Sequence, residues 1–219
     1  MSRLFFIPMS LLVFLSLVHP ASATESVKWF RFGKQATLKD WKEKIFKGKV
    51  KYEIVDQGEL GSVRATSSKA ASGLYYELEY APEEYPWLSW KWKVDKFPNK
   101  KGKPEDEKDD FAARIYVVFP AFFFAFSTCL EYVWDDELKE GTILDSPWSS
   151  NIKVMVLKKG KKGEWLSEER NLLEDYRKAF DDDPDDVGAV AFMTDTENTQ
   201  SDAVAYYRDI RVGYQKESK

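Results

Sequence analysis

Three stretches that alternate apolar and polar side chains carry most of the groups able to hold a ligand. Their polar members are Glu77 and Glu79, then Lys91 and Lys93, then Asp110, Arg114 and Tyr116. Successive residues of a strand point to opposite faces. Leu74, Tyr76, Leu78 and Tyr80, then Leu88, Trp90, Trp92 and Val94, then Phe111, Ala113, Ile115, Val117 and Phe119 are therefore expected inward, with the polar sets opposite. Glu131, Tyr207 and Asp209 join them as candidate ligand-binding residues. Arg offers a rigid fork of donors and Asp accepts from hydroxyls, so a face bearing Lys91, Asp110 and Arg114 suits a sugar or uronate. The competing reading is a solvated outer face, since antiparallel sheets commonly cover one side only. On the binding reading, Arg114→Ala or Asp110→Asn weakens glycan binding about tenfold while folding survives.

The same residue types admit catalysis. Carboxylates at Glu77, Glu79, Asp110, Glu131 and Asp209 would serve a glycosidase if two of them stood about 5 to 9 Å apart, which spacing in sequence does not fix. Tyr116, Tyr207, Lys91 and Arg114 would serve the proton transfers of a polysaccharide lyase. Non-catalytic glycan binding is the favoured expectation and cleavage the alternative. Asp195, Glu197 and Asn198 place oxygen ligands in a short run that a hard cation such as Ca²⁺ accepts. An EF-hand's central Gly and distal Glu are missing, so a turn bonded to its own backbone is favoured and no cofactor is expected. The only histidine, His19, precedes residue 24, which removes imidazole metal sites and histidine-based triads from the rest of the chain. Cys129, the only cysteine, forms no internal disulfide and reads as a small buried apolar residue.

Pro120-Ala121-Phe122-Phe123-Phe124-Ala125-Phe126 is either an apolar lip touching lipid or a partner protein, or a segment folded inward. Burial is favoured for these rings, and for Trp29, Trp41, Trp134, Trp148 and Trp165, because large aromatics are buried on average.

These groups must be held by strands. Ten β-rich runs separated by turn residues fall near 27–32, 50–56, 62–66, 74–80, 88–94, 111–119, 128–134, 152–158, 188–194 and 203–212. One helix is predicted, capped by Ser167, with Glu168 and Glu169 at its positive end, a Leu172, Tyr176, Phe180 stripe and Pro184 as its stop. NKKGKPEDEK at 99–108 and DDDPDD at 181–186 read as solvated loops. The fold class is all-β: an antiparallel, jelly-roll-like sandwich of lectin or carbohydrate-binding-module type with one packed helix. Eight Trp, eleven Tyr and fifteen Phe exclude disorder for most of the chain, and a net charge of −4 gives no footprint for nucleic acid. Residues 1–23 read as a signal peptide: Arg3, an apolar run Leu4 to Val18 too short to span a bilayer, and Ala21-Ser22-Ala23 before the cut. One domain over 24–219 is expected, periplasmic or secreted, with no transmembrane segment after cleavage.

Several segments together resemble a bacterial exported family known as domain of unknown function 3047. They are LSWKWKVDKFP at 88–98, KDDFAARIYVVF at 108–119, LEYVW at 130–134, EERNLLEDYRKAF at 168–180, and VAFMTDTENT with AYYRDIRV between 190 and 212. The resemblance implies a single exported β-rich domain and supplies no catalytic residues. A looser likeness in layout, from Trp41 and Phe46-Lys47-Gly48 through LYYELEY to YYRDIRV, is to jelly-roll carbohydrate-binding modules.

Overall fold

A computed structural model describes residues 26–55 and 60–216, so the predicted signal segment lies outside the described residues. In chain order the strands are β1 (Ser26–Phe30), β2 (Lys42–Lys47), β3 (Lys51–Val55), β4 (Ser62–Ser68), β5 (Ala71–Tyr80), β6 (Trp87–Lys96) and β7 (Ala113–Phe119). They continue as β8 (Thr128–Asp135), β9 (Ile143–Ser146), β10 (Ser149–Lys159), β11 (Leu166–Asn171), β12 (Val187–Asp195) and β13 (Asp202–Tyr214), with one helix, α1 (Leu172–Phe180), after β11. The first sheet runs β11-β6-β13-β4-β3 with β1 also on β13, and the second runs β2-β5-β12-β7-β8-β10-β9. All pairings are antiparallel except β8 with β10. Among the described residues no helix is long and apolar enough to cross a membrane.

The alternation in β6 and β5 places Leu88, Trp90, Trp92 and Val94, and Leu74, Tyr76, Leu78 and Tyr80, in the core as expected. Aromatic pairs bridge the two sheets: Trp92 of β6 with Trp134 of β8 at 5.8 Å, and Tyr207 of β13 stacked on Phe192 of β12 at 4.9 Å. Tilted and offset rings of this kind fill the roughly 10 Å between packed sheets and add to the hydrophobic gain. At the end of β13, Gly213 has φ 61°, and a Cβ there would stand 2.7 Å from Val27 Cγ2. Only glycine meets both conditions without strain.

The helix starts later than expected. Residues 166–171 pair with β6, so Ser167 lies opposite Lys91 in a strand and caps nothing. Asn171 is the N-cap instead, its Oδ1 accepting from Leu173 N at 3.1 Å and Glu174 N at 3.3 Å. The predicted stripe packs: Leu172 and Tyr176 are buried and Phe180 lies against the core. Asp175 fixes the helix to the sheet by accepting from Tyr132 Oη and Arg170 Nε, both at 2.8 Å. The helix ends at Asp181 in the left-handed region, three residues before Pro184.

Candidate functional site

The expected single polar face divides. Lys91 belongs to β6 in the first sheet and Arg114 to β7 in the second, so they leave opposite sides of the sandwich. Each side therefore has its own chemistry.

On the second sheet Arg114 is 4% exposed and Asp110 0%. Arg114 Nε donates to Asp195 Oδ1 at 2.7 Å, its Nη2 bonds Asp195 Oδ2, and its Nη1 reaches Glu131 Oε1 at 2.5 Å. Burial opposes the charge on Arg114, but Asp195, Tyr116, Glu131 and Asp109 outweigh it and hold the guanidinium protonated. Burial pushes Glu131 up despite the pull of Arg114. Phe111 lies between two cations, 4.2 Å from Lys100 Nζ and 4.5 Å from Arg114 Cζ, and Lys100 pairs with buried Asp135. Phe111 also joins a second apolar cluster with Val133, Val154 and Val156, rather than the main core expected for it. Loops close over this face, and Trp148 Nε1 donates to Asp109 Oδ2 at 2.7 Å. Arg114, Asp110 and Glu131 are thus internal tie points, not a groove lining. Tyr207 is fully buried in the core, where its hydroxyl donates to Met193 O at 2.5 Å. Tyr116 is half-buried on the outer side, and Glu77 is an exposed partner of Lys42 at 2.5 Å.

The acidic run resolves differently from its sequence pattern. Asp110, Asp195 and Glu197 bring carboxylate oxygens within 4.8 Å of one another. Asn198 instead turns its amide to Asp109 O at 3.2 Å. Asp110 accepts from Asn198 N at 3.2 Å and Thr199 N at 2.6 Å, so the turn is pinned from another loop more than by its own side chains. Glu197 is pushed up to about 7 by burial and by the Asp110 carboxylate beside it.

The outer face of the first sheet is open to solvent. The apolar residues of β13 run Ala203, Ala205, Tyr207 and then Ile210, Val212, a slip of one position that marks a bulge at Arg208 and Asp209. Asp209 sits there with φ 56°, a conformation that favours glycine. Its Oδ1 accepts from Trp29 Nε1 at 2.8 Å and its Oδ2 from Lys91 Nζ at 3.0 Å. Although burial works the other way, these two bonds hold the Asp209 carboxyl below its usual range. Ser89, Lys91, Ser167, Glu168, Glu169 and Asp209 line a depression of about 210 Å³. Trp29 is 42% exposed at its edge, and Trp165 is half-buried farther along the same face. Of the expected ligand residues, Lys91 and Asp209 are the two that meet in an accessible site. The slip of alternation in AYYRDIRV was the sequence signal for it.

Trp41 and Trp134 are core residues, whereas Trp148 is exposed. The phenylalanines also depart from expectation: Phe122 is 97% exposed, with Phe123 and Phe126 exposed beside it. The segment links β7 to β8, adjacent strands of the second sheet, through a short turn beyond the strand ends, where no facing layer buries the rings.

Fold and site together define a β-sandwich with one accessible polar depression on its first sheet. The chain belongs to the family described as protein of unknown function (DUF3047), which matches residues 39–211. No curated protein matches it. Similar solved structures include the xyloglucanase domain of NopAA, a type three effector from Sinorhizobium fredii, at 11% identity and TM-score 0.44, covering 80% of this chain and 93% of that one. Endoglucanase 3 of Trichoderma harzianum, from family GH12, is 8% identical with TM-score 0.42 over 81% and 99% of the two chains. A mannan-recognising carbohydrate-binding module, TmCBM27, is 9% identical with TM-score 0.39 over 88% and 99%.

Proposed function

We propose that the protein is an exported, non-catalytic glycan-binding sandwich whose site is the depression around Asp209 and Lys91. The observation that carries this reading is Asp209 itself. An aspartate replaces the glycine that a bulge of this kind favours, costing about 1 to 2 kcal/mol of backbone strain. Its carboxylate gains only a lysine and an indole on a solvent-facing rim. Four other non-glycine residues share this conformation at turns and a helix end, and what distinguishes Asp209 is that it adopts it within a strand, beside an accessible depression. A carboxylate beside an ammonium and an exposed tryptophan edge offers acceptor, donor and apolar surface to a sugar ring. A glycan array probed with the protein tests this. Asp209→Asn and Lys91→Ala should each weaken the leading hit about tenfold, the scale of losing one hydrogen bond to a charged group. Unchanged binding by both variants refutes the site.

Cleavage is the second reading, and one observation favours it. Glu168, raised chiefly by burial, and Asp209, lowered by its partners, line the same depression, the kind of divergence that separates an acid from a base. Against it, Glu168 is occupied by Trp92 Nε1 at 3.3 Å on the core side. Although burial opposes it, Glu169 of the same depression is lowered by its bonds to Tyr214 and Lys216. Asp110 and Glu131 are buried, and Glu77 lies three strands from Glu131, about 14 Å at 4.8 Å per strand. Product analysis on a polysaccharide panel decides between binding and cleavage.

A further inference from the structure

The structure assigns a chemical class to the ligand: we infer that the first sheet takes an acidic glycan whose repeating units carry carboxylates. This inference rests on the glycan reading above. It comes from the way arginines and lysines are treated on that face. The lysines are neutralised within the protein, Lys91 by Asp209 at 3.0 Å, Lys93 by Asp95 at 3.2 Å and Lys96 by Asp202 at 2.8 Å. Among the described residues Arg64 and Arg208 form no ion pair, although both are on the same face and only partly exposed.

An aromatic ring holds the Arg208 guanidinium instead, its Cζ 3.9 Å from the centre of the Trp165 ring. Elsewhere on the face Arg31 stacks 3.7 Å from Trp29 and Arg211 4.0 Å from Tyr214. A guanidinium stacked on a ring is fixed in orientation while the N–H groups of its plane remain available, which suits two-point contact with a carboxylate. The register sets the order: Arg64 faces Tyr206 across β4 and β13, Arg208 is two residues farther along β13, and Arg211 faces Trp29. Arginines therefore recur along one strand and flank the Asp209 depression, as a chain with repeated anionic groups requires. The whole chain carries −4, against which these arginines act locally and at short range.

The test measures affinity for polygalacturonate, for the same polymer with its carboxyls reduced to alcohols, and for dextran sulfate. Polygalacturonate should bind at least tenfold tighter than the reduced polymer, and added NaCl should weaken it. Arg208→Gln and Arg64→Gln should each remove much of that preference while the melting temperature stays within a few degrees. Arg208→Lys should recover only part of it, because an ammonium keeps the charge without the fork. Equal affinity for the reduced polymer overturns the acidic assignment and leaves the glycan reading standing. Tighter binding to dextran sulfate overturns the carboxylate preference in favour of charge alone. If no polymer of either kind binds, and the glycan array is also blank, both readings fall.

Discussion

Arg114 and Asp195 meet as two parallel bonds between β7 and the end of β12, in a place where neither residue is more than 4% exposed. Glu131 takes a third donor of the same guanidinium. Removing one partner of a buried ion network leaves the others charged and unpaired, which typically costs about 3 to 5 kcal/mol. Arg114→Ala should therefore lower the urea midpoint by that equivalent, contrary to the expectation that folding survives the change. The folded fraction should keep its affinity for any ligand of the first sheet. A variant as stable as the wild type would show that the network is not what it is taken to be.

Glu197 gives the stability a pH dependence. Its carboxyl is raised by burial and by Asp110 from 4.5 to about 7, so between those values the folded state binds more protons than the unfolded chain. Stability from this group is complete below pH 4.5 and is lost as pH rises through about 7. Melting curves of Glu197→Gln and the wild type should differ in slope across that interval, with the variant flatter. Parallel slopes would rule the proton out.

Calcium should not stabilise the protein. Glu197 Oε2 has no hydrogen-bond partner, but Asp195 already accepts from Phe111 N and Arg114, and Asp110 from two backbone amides, so a cation would meet mostly occupied oxygens and an arginine charge. Thermal unfolding with millimolar Ca²⁺ and with chelator should coincide; a rise of several degrees would revive the cation site.

Asp209 permits strain and contact to be separated. Asp209→Gly and Asp209→Ala both delete the bonds to Trp29 and Lys91, but only Ala keeps the penalty at φ 56°. The Gly variant should be more stable than the Ala variant by about 1 kcal/mol. Both should bind poorly. Chemical denaturation of the pair, beside binding measurements, checks it.

The phenylalanine turn makes a different prediction. Phe122→Ser with Phe126→Ser should leave the melting temperature unchanged, because both rings are already in water. If the envelope-contact reading of this turn holds, co-sedimentation with liposomes should fall in the same double variant; a wild type that never co-sediments dismisses lipid as its partner.

Alternation made the inner faces of β5 and β6 legible, because apolar and charged residues there keep strict period two. Alternation does not show pairing order: it puts Lys91 and Arg114 on one polar face, whereas β6 joins β13 and β7 joins β12. Nor does period two reveal what loops cover, which is why a buried Arg114 looked like a groove residue. The edge strand β2, KEKIFK, is exposed on both sides and carries no apolar face to read. β11 was hidden because Ser167, Glu168 and Glu169 imitate a helix start, and only pairing with β6 overrides that local preference. In the sequence Asp209 reads as one carboxylate among several, while in the structure a backbone φ of 56° within a strand sets it apart.

The position of β13 has a consequence for how the molecule comes into being. It is hydrogen-bonded to β6, β4 and β1, so three strands of the first sheet share a single partner that is synthesised after all of them. A growing polypeptide that has not yet reached Asp202 holds all three as unsatisfied edges, however long ago they were synthesised. Assembly of this sheet consequently waits for Asp202–Tyr214 and depends on closures between segments far apart in sequence, which are slow to find. A nascent chain stalled just short of this strand is the form most exposed to aggregation, and a chaperone that shields β1, β4 and β6 would act before β13 arrives.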